Sequence, residues 1–433
     1  MKNYKWIVPI LLVLLFVGSI YSILDTKIGE KKEYKQCVKA AREYAALDIQ
    51  VDAQACYDRA LQIEPSLALS LEIGQYYKDT FQERMSRTWA EQIVTDYPKE
   101  AEAYEFLMEL YIENQDYISC FQLSDKMQKR KISSPKLEKQ IAGIQNRFYL
   151  NGSFENVGVY SQGLCPVENR GVWGYVTASG KKAFENGYLQ AGNFSDKLAP
   201  VVDGSGKTFF IDPQGNKKRV VVGVDNVKSL GIMTDGMFAL YNGKNWSFYD
   251  DNYKYQFGKY EQTSSLANGV AAVKKNHRWY LVNRKGKNLT GAWYDGIVTD
   301  EKQTVYRNER CFVYKNIGYY LVDEKGKAVT KQKYQGAKLF NDDTYAAVKI
   351  KDKWGFVDKD GKMVIQPTYE DARSFSDGYA AVCQAGKWGF IDMQGKMVIS
   401  PQFEDTKDFN EQGCVFVKLD GMWQLLIMYK YNH

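Results

Sequence analysis

The sequence has few of the residues on which enzyme active sites commonly depend. Its only histidines are His277 and His433, and neither lies beside a nucleophilic serine or cysteine motif. The seven cysteines are an odd number and form no Cys-x-x-Cys pair, which argues against a zinc site or a disulfide framework. We therefore expect no catalytic, metal-binding or cofactor-binding residues, and we expect His277 to be an exposed turn residue.

A concentrated positive charge is also missing. The net charge of +6 is mild and the basic residues are dispersed, so the sequence does not indicate a nucleic-acid partner. One stretch of the sequence resembles a phosphate-binding loop but does not meet its requirements. The stretch Asp203 to Asp212 contains Gly-Ser-Gly-Lys-Thr, but Val201 stands where the first glycine of such a loop belongs. We expect a hairpin there.

One long hydrophobic run is present, at residues 6–24, behind a short tail at 1–5. Its nineteen uncharged residues are enough to cross a bilayer as a helix. A cleaved signal peptide is the alternative, but the run continues past Gly18-Ser19 without an Ala-x-Ala site. We predict a single-pass anchor, with the bulk of the chain outside the cytoplasm. A cytoplasmic orientation stays open, because lysines flank both ends of the run.

A helical region is predicted at residues 31–150, after a linker at 25–30. Its apolar residues recur at helical spacing, most clearly in a helix that carries Ala53, Tyr57 and Ala60 and ends at Pro65. A second unit ends at Pro98, which is 33 residues further on. The region resembles a short tetratricopeptide array, which implies stacked helix pairs with a groove that can bind a peptide. The alternative is a stalk.

Two later segments are copies of one unit. They read KWGFVDKDGKMVIQPTYED from Lys353 to Asp371 and KWGFIDMQGKMVISPQFED from Lys387 to Asp405. The Gly206-Lys207-Thr208 stretch falls into the same register as Gly386-Lys387-Trp388, which supports the hairpin interpretation. The tryptophan position recurs eight times, at Trp173, Thr208, Trp246, Trp279, Tyr319, Trp354, Trp388 and Trp423.

Residues 152–433 resemble the WG-repeat (KWG) proteins of bacteria. The match lies in Lys353-Trp354-Gly355-Phe356, Lys387-Trp388-Gly389-Phe390 and Trp173-Gly174-Tyr175. Other copies depart from the pattern, with Ser247, Tyr280 and Tyr320 in place of the glycine. The resemblance implies a β-rich repeat domain on a modular protein and brings no catalytic activity.

The repeat itself predicts how its sheets are covered. In Trp354 to Asp358, aromatic residues alternate with a glycine and a valine, so both faces of the strand are apolar or bare. Such sheets need neighbours on both sides, as in a propeller of seven or eight small blades or, alternatively, a β-solenoid. Each copy begins with a two-stranded hairpin, and a third strand follows it in only seven of the eight copies. This count fits a ring in which the two chain ends complete one sheet, or a stack whose last unit is shortened.

Two sets of residues are candidates for function. Glu370-Asp371, Glu404-Asp405, Asp295, Glu261 and Asp225 could supply paired carboxylates. Because they recur at one place in the copies, we interpret them as turns or caps for backbone amides. Tyr188, Tyr294 and Tyr334 follow the third strand and are our candidates for a ligand surface, with core packing as the alternative.

The fold class is thus a multidomain α and β protein: a transmembrane helix, a short α-solenoid and an all-β repeat domain. The predicted function is a membrane-anchored, non-enzymatic binding or scaffold protein, whose partner is a protein or an envelope glycan. The alternatives are an envelope enzyme acting on glycan, which requires an acidic pair that breaks the repeat symmetry in a cleft, and a cytoplasmic membrane-tethered adaptor that binds a peptide. Unpaired cysteines favour the adaptor.

Overall fold

The computed structural model describes residues 7–80, 82–218, 227–341 and 344–431, with side chains from residue 26 onward. The chain divides into two compact units, and the division lies between Gln145 and Asn146. The first unit is helical and the second consists of small antiparallel sheets.

Seven helices form the described part of the first unit: α1 (Ile7–Ala46), α2 (Gln50–Ile63), α3 (Leu67–Asp79), α4 (Glu83–Asp96), α5 (Ala101–Glu113), α6 (Tyr117–Arg130) and α7 (Pro135–Ile144). Three of them begin at side chains that accept a backbone N–H at the helix start, namely Ser66, Asp116 and Ser134. Pro135 follows Ser134 at the first helical position, where its missing N–H costs nothing.

The predicted apolar face of α2 is the face that the structure buries. Ala53, Tyr57 and Ala60 are buried against Val38 and Ala41 of α1 and against residues of α3. The helical content of the region is confirmed, and its assignment as a tetratricopeptide array stays a prediction.

The predicted membrane span at 6–24 lies outside the part of the chain whose side chains are described. Position 6 is not described at all, and the backbone from Ile7 belongs to α1. Among the described residues, no helix combines the length and the apolar character that crossing a bilayer requires.

Eight sheets are described in the second unit. The first four contain β2 (Asn156–Val157), β3 (Leu164–Asn169) and β4 (Val172–Thr177); β5 (Gln190–Ala191), β6 (Ala199–Val202) and β7 (Thr208–Ile211); β8 (Ser229–Leu230), β9 (Met237–Tyr241), β10 (Trp246–Asp250) and β11 (Tyr255–Tyr260); β12 (Gln262–Thr263), β13 (Val270–Lys275) and β14 (Arg278–Asn283).

The other four contain β15 (Gly296–Ile297), β16 (Cys311–Lys315) and β17 (Gly318–Val322); β18 (Gly336–Ala337), β19 (Ala346–Ile350), β20 (Lys353–Val357) and β21 (Met363–Tyr369); β22 (Asp371–Ala372), β23 (Tyr379–Gln384), β24 (Lys387–Asp392) and β25 (Met397–Phe403); β26 (Asp405–Thr406), β27 (Cys414–Leu419), β28 (Met422–Met428) and β1 (Phe148–Phe154). A short 3-10 turn follows at Tyr429–Tyr431.

The two ends of the repeat region lie in the same sheet. β1 pairs antiparallel with β28, from Phe148 opposite Met428 to Phe154 opposite Trp423. An apolar cluster joins each sheet to the next, and one of these clusters joins the eighth sheet to the first through Phe416 and Val167. The described sheets therefore follow one another in a circle, as a ring requires and an open stack does not.

The predicted third strand is regular in only part of the ring. It is present as β11, β21 and β25, and β1 supplies it in the eighth sheet. In three other sheets it is reduced to two isolated bridges each, and one of the two pairs Trp173 with Tyr188, Trp279 with Tyr294, or Tyr319 with Tyr334. The expectation of seven clear third strands was therefore too uniform.

The glycine of the Trp-Gly pair lets the third strand approach closely. A Cβ atom at Gly389 would lie 2.5 Å from the carbonyl oxygen of Ile399, and one at Gly355 would lie 2.6 Å from that of Ile365. Both distances are too short for any side chain. In the third sheet, where Ser247 replaces this glycine, the small residue is Gly258 on the opposite strand.

Candidate binding cavity

Tight polar turns precede the long hairpin of most sheets. In six of them both central residues have positive φ, the geometry of a type I′ turn. Asparagine, aspartate and glycine tolerate this conformation best, which explains their recurrence. The pairs are Gln162-Gly163, Asp196-Lys197, Asp235-Gly236, Asn268-Gly269, Asn308-Glu309 and Asp377-Gly378.

Hydrogen bonds connect several of these turns to their neighbours around the ring. Gln162 accepts from the amide of Lys197 at 2.9 Å. In the same manner, Asp196 accepts from the amide of Gly236 at 3.1 Å, and Asp235 from that of Gly269 at 2.8 Å. The side chain of one turn thus fixes the backbone of the next.

The turns surround a cavity of about 680 Å³ to which all eight sheets contribute lining residues. Carboxyl groups dominate its charge: among the described residues, Lys302 and Arg307 are the lining cations, against the seven acids Asp196, Asp235, Asp300, Glu301, Asp377, Asp408 and Glu411. No group of three or more described side chains is arranged to hold a metal ion.

One repeat extends into this cavity. Between β15 and its turn lie nine residues, 298–306, where the equivalent segment 373–375 has three. The extra residues form a small turn in which Asp300 accepts from the backbone amide of Thr304 at 2.7 Å. The turn docks on the neighbouring loop, since the amide of Ser265 donates to the carbonyl of Gln303 at 2.7 Å. We name residues 298–306 the inserted loop.

Glu301 of the inserted loop pairs with two cations from other repeats. Its Oε1 atom accepts from Arg373 Nη1 at 2.8 Å and from Lys407 Nζ at 3.1 Å. Burial alone would raise the pKa of Glu301, but the two positive charges outweigh that effect and lower its pKa. Glu301 is therefore ionised at neutral pH.

Asp408 lies in the opposite electrostatic situation. Burial, and the nearby negative charge of Glu301, raise its pKa to about 6, although Arg373 and Lys407 act against the shift. Asp408 carries a charge at a position where other repeats have an uncharged residue, such as Asn193, Ser374 or Leu339. Its Oδ1 atom is buried and has no hydrogen-bond partner.

The three tyrosines predicted as a ligand surface are part of the core. Tyr188, Tyr294 and Tyr334 are 5%, 4% and 1% exposed. Each pairs across a bridge with the residue at the tryptophan position, so it stands in for the missing third strand. The ligand-surface interpretation was wrong, because each ring points into the core from the bridge that replaces the third strand.

The repeated acids act as caps, as the sequence indicated. Glu370 accepts from the amide of Gly386 at 2.9 Å, Glu404 from that of Gly421 at 3.1 Å and Asp295 from that of Asn316 at 3.1 Å. Glu261 does the same for His277, whose side chain is 93% exposed. Asp225 and His433 lie outside the described residues.

Two further sequence predictions concern the hairpins. β6 and β7 pair across the stretch that imitates a phosphate loop, and Asp203 caps their turn by accepting from the amides of Ser205 and Lys207. The predicted hairpin is confirmed. The tryptophan positions lie at hairpin strands and are buried or half-buried: Trp173, Trp246, Trp279, Trp354, Trp388 and Trp423.

The cavity itself was not predicted. Its signal in the sequence is a polar residue, commonly followed by glycine, just before each strand of small residues. The inserted loop also had a signal, since the distance from Trp279 to Tyr319 is the longest spacing in the repeat series.

Comparison with known proteins supports the repeat assignment. The family model of the WG containing repeat matches residues 321–354, 354–388 and 388–423, which confirms the resemblance for these three consecutive copies. No curated protein matches the chain.

Several solved structures show a distant similarity. BamB from Moraxella catarrhalis is 13% identical with a TM-score of 0.43, covering 65% of this chain and 98% of that one. YCF48 from Cyanidioschyzon merolae is 14% identical with a TM-score of 0.34, again covering 65% and 98%. A eukaryotic initiation factor is 13% identical with a TM-score of 0.43, covering 65% and 86%. At these values the similarity indicates neither a partner nor an activity.

Proposed function

We propose that this protein is a non-enzymatic binding or scaffold protein whose ring of sheets serves as a propeller-type recognition domain. One observation carries the proposal: described residues from all eight sheets line the central cavity, and hydrogen bonds connect the turns of the first four sheets to one another. A cavity fixed before binding loses little entropy when a ligand enters. The repeated acids do not compete with this role, because they cap backbone amides.

Site-specific photo-crosslinking tests the proposal. A photoreactive amino acid at Glu411, which lines the cavity, is expected to capture a partner in source cells. The matched control places it at Glu324, an exposed acid of the β17 hairpin that does not line the cavity. Equal labelling from both positions, or none from Glu411, contradicts a cavity-centred binding function.

A glycan-cleaving enzyme is the second candidate, and one observation favours it. Glu301 and Asp408 break the repeat symmetry in the cavity, and their pKa values are shifted in opposite directions, as in pairs of catalytic carboxyls. However, Glu301 is already engaged by Arg373 and Lys407. Release of reducing ends from envelope glycans by the full chain, abolished in both Glu301→Gln and Asp408→Asn, would establish the enzyme.

We further propose that the apolar run at residues 6–24 anchors the protein in a membrane with the ring outside the cytoplasm. Protease treatment of intact source cells that carry a C-terminal tag tests this orientation. Loss of the tag without lysis supports it and directs the search to surface proteins and envelope glycans. Protection until lysis supports the cytoplasmic adaptor, to which the seven free thiols also point.

A further inference from the structure

We infer that the central cavity binds a cationic side chain, a lysine or an arginine, that a partner protein inserts into the ring. This inference rests on the proposed binding function and specifies the chemistry of the ligand. Its basis is the charge of the lining, the buried acceptors of Thr234 and Asp408 that lack partners, and the size of the cavity.

The lining leaves negative charge that the protein itself does not neutralise. Glu301 is matched by Arg373 and Lys407, the Oδ2 atom of Asp300 lies 3.8 Å from Arg307 Nε, and the charge of Lys302 attracts Asp300, Asp408 and Glu411. Asp196 and Asp235, in contrast, meet neutral backbone amides, and each uses only its Oδ2 atom in these bonds. Carboxylates that surround one cavity repel each other until a cation enters.

Buried polar atoms of several lining residues also lack a hydrogen-bond partner, among them acceptors on Thr234 and Asp408 and the donors Arg307 Nε and Asn410 Nδ2. Thr234 is 9% exposed and lines the cavity, and its Oγ1 atom is buried without a partner. The Oδ1 atom of Asp408, which lines the same cavity, is in the same condition. Leaving a buried acceptor unpaired is costly, so such groups indicate a ligand or a bound water.

A cationic side chain would neutralise the carboxylates and donate to the acceptors of Thr234 and Asp408, while the backbone carbonyl that enters with it could accept from Arg307 or Asn410. Lysine offers three donors and arginine five, and neither carries an acceptor that the carboxylates would repel. An anionic ligand would add to the repulsion, and a neutral sugar would leave the carboxylates uncompensated. The cavity of about 680 Å³ is large enough for one long side chain with part of its backbone.

Fluorescence anisotropy on the purified full chain tests the inference. The probes are labelled oligolysine, labelled oligoglutamate and a labelled oligomer of N-acetylglucosamine, each at pH 7.5. We expect saturable binding of oligolysine alone. Asp408→Asn and Thr234→Val, which keep the size of each side chain, should each weaken it by about tenfold, the effect of losing a hydrogen bond to a charged group. Glu324→Gln removes the same charge away from the cavity and should leave binding unchanged.

The outcomes separate this inference from the function on which it rests. Oligolysine binding that Glu324→Gln weakens as much as Asp408→Asn reflects surface charge and overturns the inference. Binding of the sugar or of oligoglutamate, lost in Asp408→Asn, also overturns it but keeps the binding function. A lack of any probe binding, together with no crosslink from Glu411, overturns both. Circular dichroism of each variant shows whether a loss of binding comes from unfolding.

Discussion

At the scale of single residues, the Trp-Gly pair shows how one side chain is excluded by the backbone of a neighbouring strand. We expect Gly389→Ala to lower the free energy of unfolding by about 1–3 kcal/mol, since the added methyl group would collide with the carbonyl of Ile399. Chemical denaturation followed by tryptophan fluorescence measures the change.

Gly174 provides the matched control. It has the same place in the repeat, but a Cβ atom there would meet no heavy atom within 4 Å. Gly174→Ala should be neutral or slightly stabilising, because alanine loses less backbone entropy on folding. Equal destabilisation by the two substitutions would show that the close approach of the third strand is not the cause.

A second prediction at this scale concerns pH. The pKa of Asp408 is raised from its ordinary 3.8 to about 6 by burial and by Glu301, while Arg373, Lys407 and Asn341 favour its charged form. The folded protein therefore holds this proton more tightly than the unfolded chain does. Its contribution to the free energy of unfolding falls as pH rises from about 4 to about 6.

Replacing Asp408 should remove this pH-dependent loss. We expect Asp408→Asn to raise the free energy of unfolding at pH 8 by about 1–3 kcal/mol and to have no such advantage at pH 4. Denaturation at both pH values decides the matter, with Glu324→Gln as the reference. A destabilised variant at pH 8 would mean that the charge of Asp408 supports the fold. A stabilised variant that no longer binds oligolysine would show that Asp408 lowers stability but is needed for ligand recognition.

At the scale of elements, residues 299–304 of the inserted loop are an addition to the ring and not part of its core. The cluster between the fourth and fifth sheets includes Val305 and Tyr306 but none of residues 299–304. Deleting 299–304 should therefore leave a cooperative unfolding transition. The melting temperature should fall by a few degrees, because Arg373 and Lys407 lose the carboxylate between them.

Differential scanning calorimetry tests this prediction, with Glu301→Gln as the companion variant that keeps the loop and removes only the charge. Similar melting temperatures for the two variants would assign the loss to the ion pairs. A broad, non-cooperative transition in the deletion alone would show that the inserted loop is needed to assemble the ring.

Local elements of the fold could be predicted from the sequence, whereas contacts between distant elements could not. The hairpins could be predicted, because alternation and the Asp-x-x-Gly-Lys turns are local features. The inward direction of Tyr188 could not, because it depends on whether a full third strand forms beside Trp173. The pairing of Glu301 with Arg373 and Lys407 joins residues 72 and 106 positions apart, and no local pattern reports such a distance.

At the scale of the whole molecule, closure of the ring depends on β1, the first strand of the repeat region. It completes the sheet that the last hairpin leaves open, and Phe154 packs there against Phe416. We expect that removing residues 146–155 from the full chain, with the flanking segments rejoined by a short flexible linker, abolishes the cooperative unfolding of the ring. The exposed edge of β28 should also promote aggregation.

Leu150→Asp is the milder version of this test, because it keeps the strand but places a charge opposite Leu426. It should lower the melting temperature of the ring, whereas Asn151→Asp, at the next position of the same strand, should have a smaller effect. Unchanged cooperativity after the deletion would show that the ring does not need closure by its N-terminal strand. Light scattering and calorimetry on the same samples provide the measurements.

The sequence by itself determined the local features of this protein: the change from helical to alternating spacing, the eight hairpins, and the caps formed by Glu370 and Glu404. Each follows from interactions within about one repeat, so the residues carry it in their order. The tertiary structure determined which sheets of the repeat region lie in contact with each other. Only the circle of sheets brings residues from all eight repeats around one cavity and places Glu301 beside Arg373 and Lys407, because these contacts depend on the accumulated rotation from sheet to sheet.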